Sequence, residues 1–187
     1  MTRHHARLVA VAIAAVSFST PITAQQEPTP PPTLEALVET LGASVSQNEQ
    51  GEVVGVDLIG TQITDAGLAH LTGLPALEEL HLDRTQVTDA GLVHLAGLPA
   101  LEKLGLNDAQ VTDTGLAHLA GLAALESLWL DRAQITDAGL AHLTGLTALE
   151  SLSLDGTQIT DAGVRELEQA LPNCYISFRP PLPIRPF

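Results

Sequence analysis

The sequence predicts an α/β solenoid, a chain that lays down one short strand and one short helix per turn. Three observations predict it. First, a 24-residue unit recurs, with copies starting at Thr61, Thr85, Ala109 and Ala133 and a partial copy at Thr157. A period of that size marks stacked repeats. Second, each unit holds leucines in the pattern L-x-x-L-x-L, as at Leu77, Leu80 and Leu82. Third, each unit then holds leucines at helical spacing, as at Leu68, Leu71 and Leu74.

The elements follow from these patterns. In Leu80–x–Leu82 and its equivalents, alternate side chains point the same way, as in a strand with one buried face. A Thr-Asp-x-Gly-Leu or related segment follows at Thr64, Thr88, Thr112, Thr136 and Thr160. Its Thr or Asp can accept hydrogen bonds from the open amides of a helix start. On this reading Asp65, Asp89, Asp113, Asp137 and Asp161 are helix-start caps. Gly73, Gly97, Gly121 and Gly145 close each helix, where a left-handed residue is favoured.

These residues resemble the leucine-rich repeat family. The Ile/Val-Thr-Asp-x-Gly-Leu signature is similar to that of the ribonuclease-inhibitor and F-box-associated, cysteine-containing subclasses, and to bacterial proteins that share it. The resemblance spans residues 53–178. It implies a short right-handed horseshoe segment, with the parallel sheet on the concave face and the helices on the convex face. It also implies binding on the concave face. One position departs from those subclasses, which place Asn or Cys three residues after the strand's last Leu. Thr61, Thr85, Ala109, Ala133 and Thr157 stand there instead. Alanine cannot form a side-chain ladder, so rigidity at those positions is expected from packing and backbone bonds.

The flanks read differently. Residues 1–24 have a basic start at Arg3 and Arg7, an apolar stretch at 8–18 and a small-residue end at Ala24, the pattern of a secretory signal. Export to the periplasm, the cell surface or the medium is the expectation. Residues 25–32 form a Pro-rich linker. Residues 33–52 are expected to make an N-terminal cap and a first strand. The cap helix would present Leu34, Leu37, Val38 and Leu41 to the open end of the solenoid. Residues 179–187 are a Pro-rich tail that cannot extend the sheet.

Composition narrows the partners. The net charge is −14 and aromatics make up 3% of residues. So acidic a chain repels nucleic acid and anionic lipid, and favours basic proteins or peptides. No membrane-inserting segment is expected. Cys174 is the only cysteine, which excludes an internal disulfide and reads as a quiet residue of the terminal repeat.

Three columns of residues alternate with the strand leucines and face away from the core. The first is Gly55, Glu79, Lys103, Ser127, Ser151 and Tyr175. The second is Asp57, His81, Gly105, Trp129, Ser153 and Ser177. The third is Ile59, Asp83, Asn107, Asp131, Asp155 and Arg179. Scaffold positions repeat because each unit stacks on a like neighbour, so variation here marks freedom from that constraint.

The candidate binding residues come from these columns. They are Asp57, Glu79, His81, Asp83, Lys103, Asn107, Ser127, Trp129, Asp131, Ser153, Asp155 and Tyr175. Trp129, the only tryptophan, is the anchor. Lys103 is expected to pair with Glu79. Asp57 and His81 stand one strand apart and can form an acid–imidazole pair. Catalysis would need a nucleophile beyond His81, where Gly105 stands instead. The aspartates of the third column can meet a basic ligand or Ca2+; without a loop around a cation they read as solvated carboxylates. His70, His94, His118 and His142 form a straight ladder on the helix side, which lacks the convergence a metal needs. A non-catalytic, exported protein-binding module without cofactor or metal is therefore the leading expectation. The alternative is a structural spacer of an envelope assembly, and a hydrolase ranks last.

Overall fold

The computed structural model describes residue 38 and residues 41–180. Residues 1–24, read above as a secretory signal, the expected linker at 25–32, Leu34 and Leu37 of the expected cap, and tail residues 181–187 lie outside the described residues. Val38 and Leu41 are helical and pack against the core.

Seven strands of the described residues form one sheet in chain order: β1 (Ser44–Gln47), β2 (Val53–Asp57), β3 (Glu79–His81), β4 (Lys103–Gly105), β5 (Ser127–Trp129), β6 (Ser151–Ser153) and β7 (Tyr175–Ser177). β1 and β2 are an antiparallel hairpin. Its turn is set by Asn48, whose Oδ1 accepts from the amides of Gln50 and Glu52 at 3.0 and 2.9 Å. All later pairs are parallel. The result is a right-handed leucine-rich repeat solenoid, with the parallel sheet on the concave face and helices on the convex face.

After the hairpin, the α-helices of the described residues are α1 (Asp65–Leu68), α2 (Asp89–Leu92), α3 (Asp113–Leu116), α4 (Asp137–Leu140) and α5 (Asp161–Ala170). The first four are single turns, and α1 to α3 run on as 3-10 segments. A 24-residue unit has no room for more. The strand leucines Leu80, Leu104, Leu128 and Leu152 and the helix leucines Leu68, Leu92 and Leu116 are all fully buried in one continuous core. Each such side chain contributes roughly 2–3 kcal/mol of burial.

The glycine expectation fails. Gly73, Gly97, Gly121 and Gly145 do not have positive φ. The helical stretches close instead with tight right-handed turns, such as Leu98 N to Leu95 O at 3.0 Å. The left-handed residues of the repeats are Gly60, Arg84, Asp108, Arg132 and Gly156, one step past the third column. There the chain swings off the sheet, and each of their amides bonds the next turn, as Arg84 N does to Asn107 O at 2.8 Å.

The aspartates after each Thr are not caps of their own helices. Asp65, Asp89, Asp113 and Asp137 reach into the next repeat. There Oδ1 accepts from the amide of Thr88, Thr112, Thr136 or Thr160 at 2.8 Å, and Oδ2 accepts from the same residue's hydroxyl. Each of those Thr hydroxyls caps its own helix by accepting from an amide two residues on. Thr64 has no aspartate 23 residues before it and makes no side-chain cap. The Gly of the motif is the third member of this clasp. A Cβ at Gly115, Gly139 or Gly163 would lie 2.2–2.3 Å from the incoming aspartate's Oδ1.

At Ala109 and Ala133 the chain is held by packing and backbone bonds, with both residues buried and their amides donating to the carbonyls of Leu106 and Leu130. Thr61, Thr85 and Thr157 bond only within their own repeat, to the carbonyls of Leu58, Leu82 and Leu154. The ladders between repeats stand at neighbouring positions: the clasp, and a second one in the third column.

Candidate binding face

Strand register sets the first two columns side by side as the alternation requires. Gly55, Glu79, Lys103, Ser127, Ser151 and Tyr175 are successive partners, and so are Asp57, His81, Gly105, Trp129, Ser153 and Ser177. Lys103 Nζ meets Glu79 Oε1 at 2.7 Å.

The third column is not a row of solvated carboxylates. Asp83 Oδ1 accepts from the Asn107 amide at 3.2 Å, Asn107 Oδ1 from the Asp131 amide at 2.8 Å, and Asp131 Oδ1 from the Asp155 amide at 2.8 Å. Asp83 itself is buried. The column extends the sheet's hydrogen bonding by one side chain per turn, because the amides at the strand ends need acceptors.

The Asp57–His81 pair that the register allows does not form. Asp57 Oδ1 turns to the amide of Ile59, at 2.9 Å. His81 faces Asp83 instead, with Nδ1 4.0 Å from Oδ2. Both lean over Gly105, where a Cβ would fall 2.3 Å from Asp83 Oδ2 and 3.1 Å from His81 Nδ1. Across that glycine the His81 and Trp129 rings lie with centroids 6.0 Å apart, tilted by 37°.

These residues open onto a groove of about 830 Å3. His81 and Trp129 line it on the strand side, and Asp83, Asn107, Asp131 and Asp155 follow one column over. Of the sequence candidates, Asp57, Glu79, Lys103, Ser127, Ser153 and Tyr175 do not line it. Ser153 supports it from behind, with Oγ donating to Asp131 Oδ1. Tyr175 is exposed on β7, at the edge of the sheet.

The far rim consists of residues the sequence reading missed: Arg84, Asp108 and Arg132, all left-handed. Arg132 Nη1 holds both oxygens of Asp108, at 3.2 and 3.0 Å. At the end of the row Arg179 Nε lies 3.7 Å from Asp155 Oδ2. The available signal was the exchange of Gly60, Arg84, Asp108, Arg132 and Gly156 at one 24-residue position, since Gly alternating with polar residues marks a left-handed site. At β7, burial pushes the Cys174 thiol above its ordinary range. Among the described residues no group of three or more His, Cys, Asp or Glu is placed to hold a metal, and no helix is long and apolar enough to cross a membrane.

Two stretches of the chain, residues 74–96 and 145–167, match the family model described as Leucine Rich repeat. The chain carries leucine-rich repeats. Its fold is similar to that of other leucine-rich repeat structures at low sequence identity. An internalin, inlF, from Listeria monocytogenes is 19% identical, with a TM-score of 0.51 over 73% of this chain and 50% of that one. TLR13, in its complex with ssRNA13, is 23% identical, with a TM-score of 0.51 over 72% of this chain and 22% of that one. Internalin C2 of Listeria monocytogenes is 21% identical, covering 73% of this chain and 77% of its own, with a TM-score of 0.46. The chain thus spans half of inlF and about a fifth of TLR13. The comparison with curated protein sequences gives no match.

Proposed function

We propose that this protein is exported and binds a protein or peptide through its concave face, without catalysis. The observation that carries the reading is the break in repetition over Gly105. Core and clasp positions repeat almost unchanged, yet here the chain places its only tryptophan beside His81 above an open groove. An accessible aromatic in a recess with a charged rim is the usual make-up of a binding anchor. Leucine-rich repeat folds commonly serve as binding modules. The export part rests on the residue pattern of the first 24 positions.

Charge favours a basic partner. The TLR13 neighbour is seen with ssRNA13, but a chain of net charge −14 repels a phosphate backbone. The non-catalytic part rests on the neighbours of His81, which are Asp83 on its own strand end and Gly105 on the next strand, where a hydrolase would place its nucleophile. A pull-down comparing the protein with a Trp129→Ala, His81→Ala variant of equal circular dichroism tests the reading. A partner held by the first and lost by the second is the expected result. Equal capture by both would move the site off this face.

A further inference from the structure

We infer that the groove seats a guanidinium, an arginine side chain of the partner, between the Trp129 ring and the carboxylate of Asp131. The inference rests on the concave-face reading and adds the chemistry of what is held there.

Two guanidiniums of the chain itself already lie along the groove, both largely exposed: Arg132 bonds Asp108, and Arg179 lies 3.7 Å from Asp155. Each pair joins neighbouring turns, so the row of strand ends has the spacing to hold a cation against a carboxylate. Asp131 is the position left open. Its Oδ1 is taken by the Asp155 amide and the Ser153 hydroxyl. Its Oδ2 has no hydrogen-bond partner among the described residues, and Asp131 lines the groove. Trp129 stands two residues earlier on the same face. That spacing is roughly 6–7 Å along a strand, about what a planar cation needs to lie on the indole and reach the carboxylate. Arginine fits better than lysine, because its flat guanidinium stacks on an aromatic face while donating in its own plane. Charge complementarity agrees, since the chain carries 22 acidic residues against 8 basic ones.

The site reports on itself, because Trp129 is the only tryptophan of the chain. The experiment follows Trp129 fluorescence in the full chain during titration with N-acetyl-arginine amide. N-acetyl-citrulline amide has nearly the same shape and no charge, and serves as the matched probe. A saturable change with the arginine probe, about tenfold weaker with the citrulline one, is expected from the loss of a charge-assisted bond. Asp131→Asn should weaken arginine binding by a similar factor. That variant keeps the Oδ1 acceptor, as Asn107 does one turn earlier, so its fold is secure.

Equal response to the two probes, or full affinity in Asp131→Asn, would overturn the inference. So would a fluorescence change that follows the protein's own concentration, which would give the groove to a second copy. If the arginine probe has no effect while partner capture still depends on Trp129, the guanidinium assignment fails and the concave-face reading stands. If capture is also independent of Trp129, both fail.

Discussion

Two side-chain ladders run along this solenoid, one at the helix starts and one at the strand ends, and they differ in how much they fix. The helix-start clasp is the same at each junction from Asp65–Thr88 to Asp137–Thr160: an aspartate takes both the amide and the hydroxyl of the next threonine, against a glycine that leaves it room. The strand-end ladder runs Asp83, Asn107, Asp131, Asp155 and uses one oxygen per step. At its start Ile59 has no acceptor to offer, and Asp57 serves its amide from the next column. A contact that occupies two oxygens, a hydroxyl and a glycine surface fixes three residues at once. A contact that needs a single oxygen accepts Asp or Asn and leaves the groove side free to vary. Function is read from the second ladder because the first has no freedom to carry it.

The largest effect tests the clasp. Gly139→Ala puts a Cβ 2.3 Å from Asp113 Oδ1, in a carboxylate that accepts from the Thr136 amide at Oδ1 and from the Thr136 hydroxyl at Oδ2. The carboxylate must leave the Thr136 amide and hydroxyl, and we expect a loss of roughly 3 kcal/mol in urea unfolding. Gly73→Ala is the control, since no atom lies within 4 Å of its would-be Cβ. It should be neutral or stabilising by up to about 1 kcal/mol. Equal effects in the two variants would mean that crowding of the clasp does not govern Gly139.

A smaller effect of opposite sign is expected on the groove rim. Arg84 holds φ at 56°, in the left-handed region, and has no ion pair among the described residues. Arg84→Gly relieves that backbone at the expense of a more flexible unfolded chain, so a net gain of about 0.5–1 kcal/mol is expected. Arg132 is as left-handed but grips Asp108, and Arg132→Gly should gain less. A thermal melt of each variant reads the difference. A destabilised Arg84→Gly would show that its side chain holds the rim together.

The repeat, the strand register and the core leucines were legible because they depend on period and polarity alone. Asp83 and Asp113 show where that legibility stops. Both are acidic residues at a fixed step, and both were read against their own repeat, as solvated surface or as helix cap. Each in fact bonds a residue 23 or 24 positions later. A linear reading assigns side chains to sequence neighbours, whereas a solenoid makes the residue one period away the nearer one. The left-handed positions were missed for a related reason. Glycine was taken as their marker at Gly73, while the backbone bonds of the next turn hold Arg84 and Asp108 there without it. The groove needed the structure because Asp83 and His81 come together over Gly105, a residue with no side chain to attract notice.

The smallest expected effect decides whether the two ladders differ in kind. Asp131→Asn removes a charge and one acceptor oxygen but keeps Oδ1, the atom that takes the Asp155 amide and the Ser153 hydroxyl. Asn107 already does that work one turn earlier, accepting from Asp131 at 2.8 Å. Stability should therefore stay within about 0.5 kcal/mol, the range of substitutions away from structural contacts. Asp113→Asn at the clasp should lose more, since Oδ2 there accepts from the Thr136 hydroxyl and an amide nitrogen cannot replace it. If urea unfolding gives the same loss for both, Asp131 Oδ2 has a structural duty and is not open to a ligand. If Asp131→Asn is silent in stability while Asp113→Asn is not, the oxygen facing the groove is one the fold does not need.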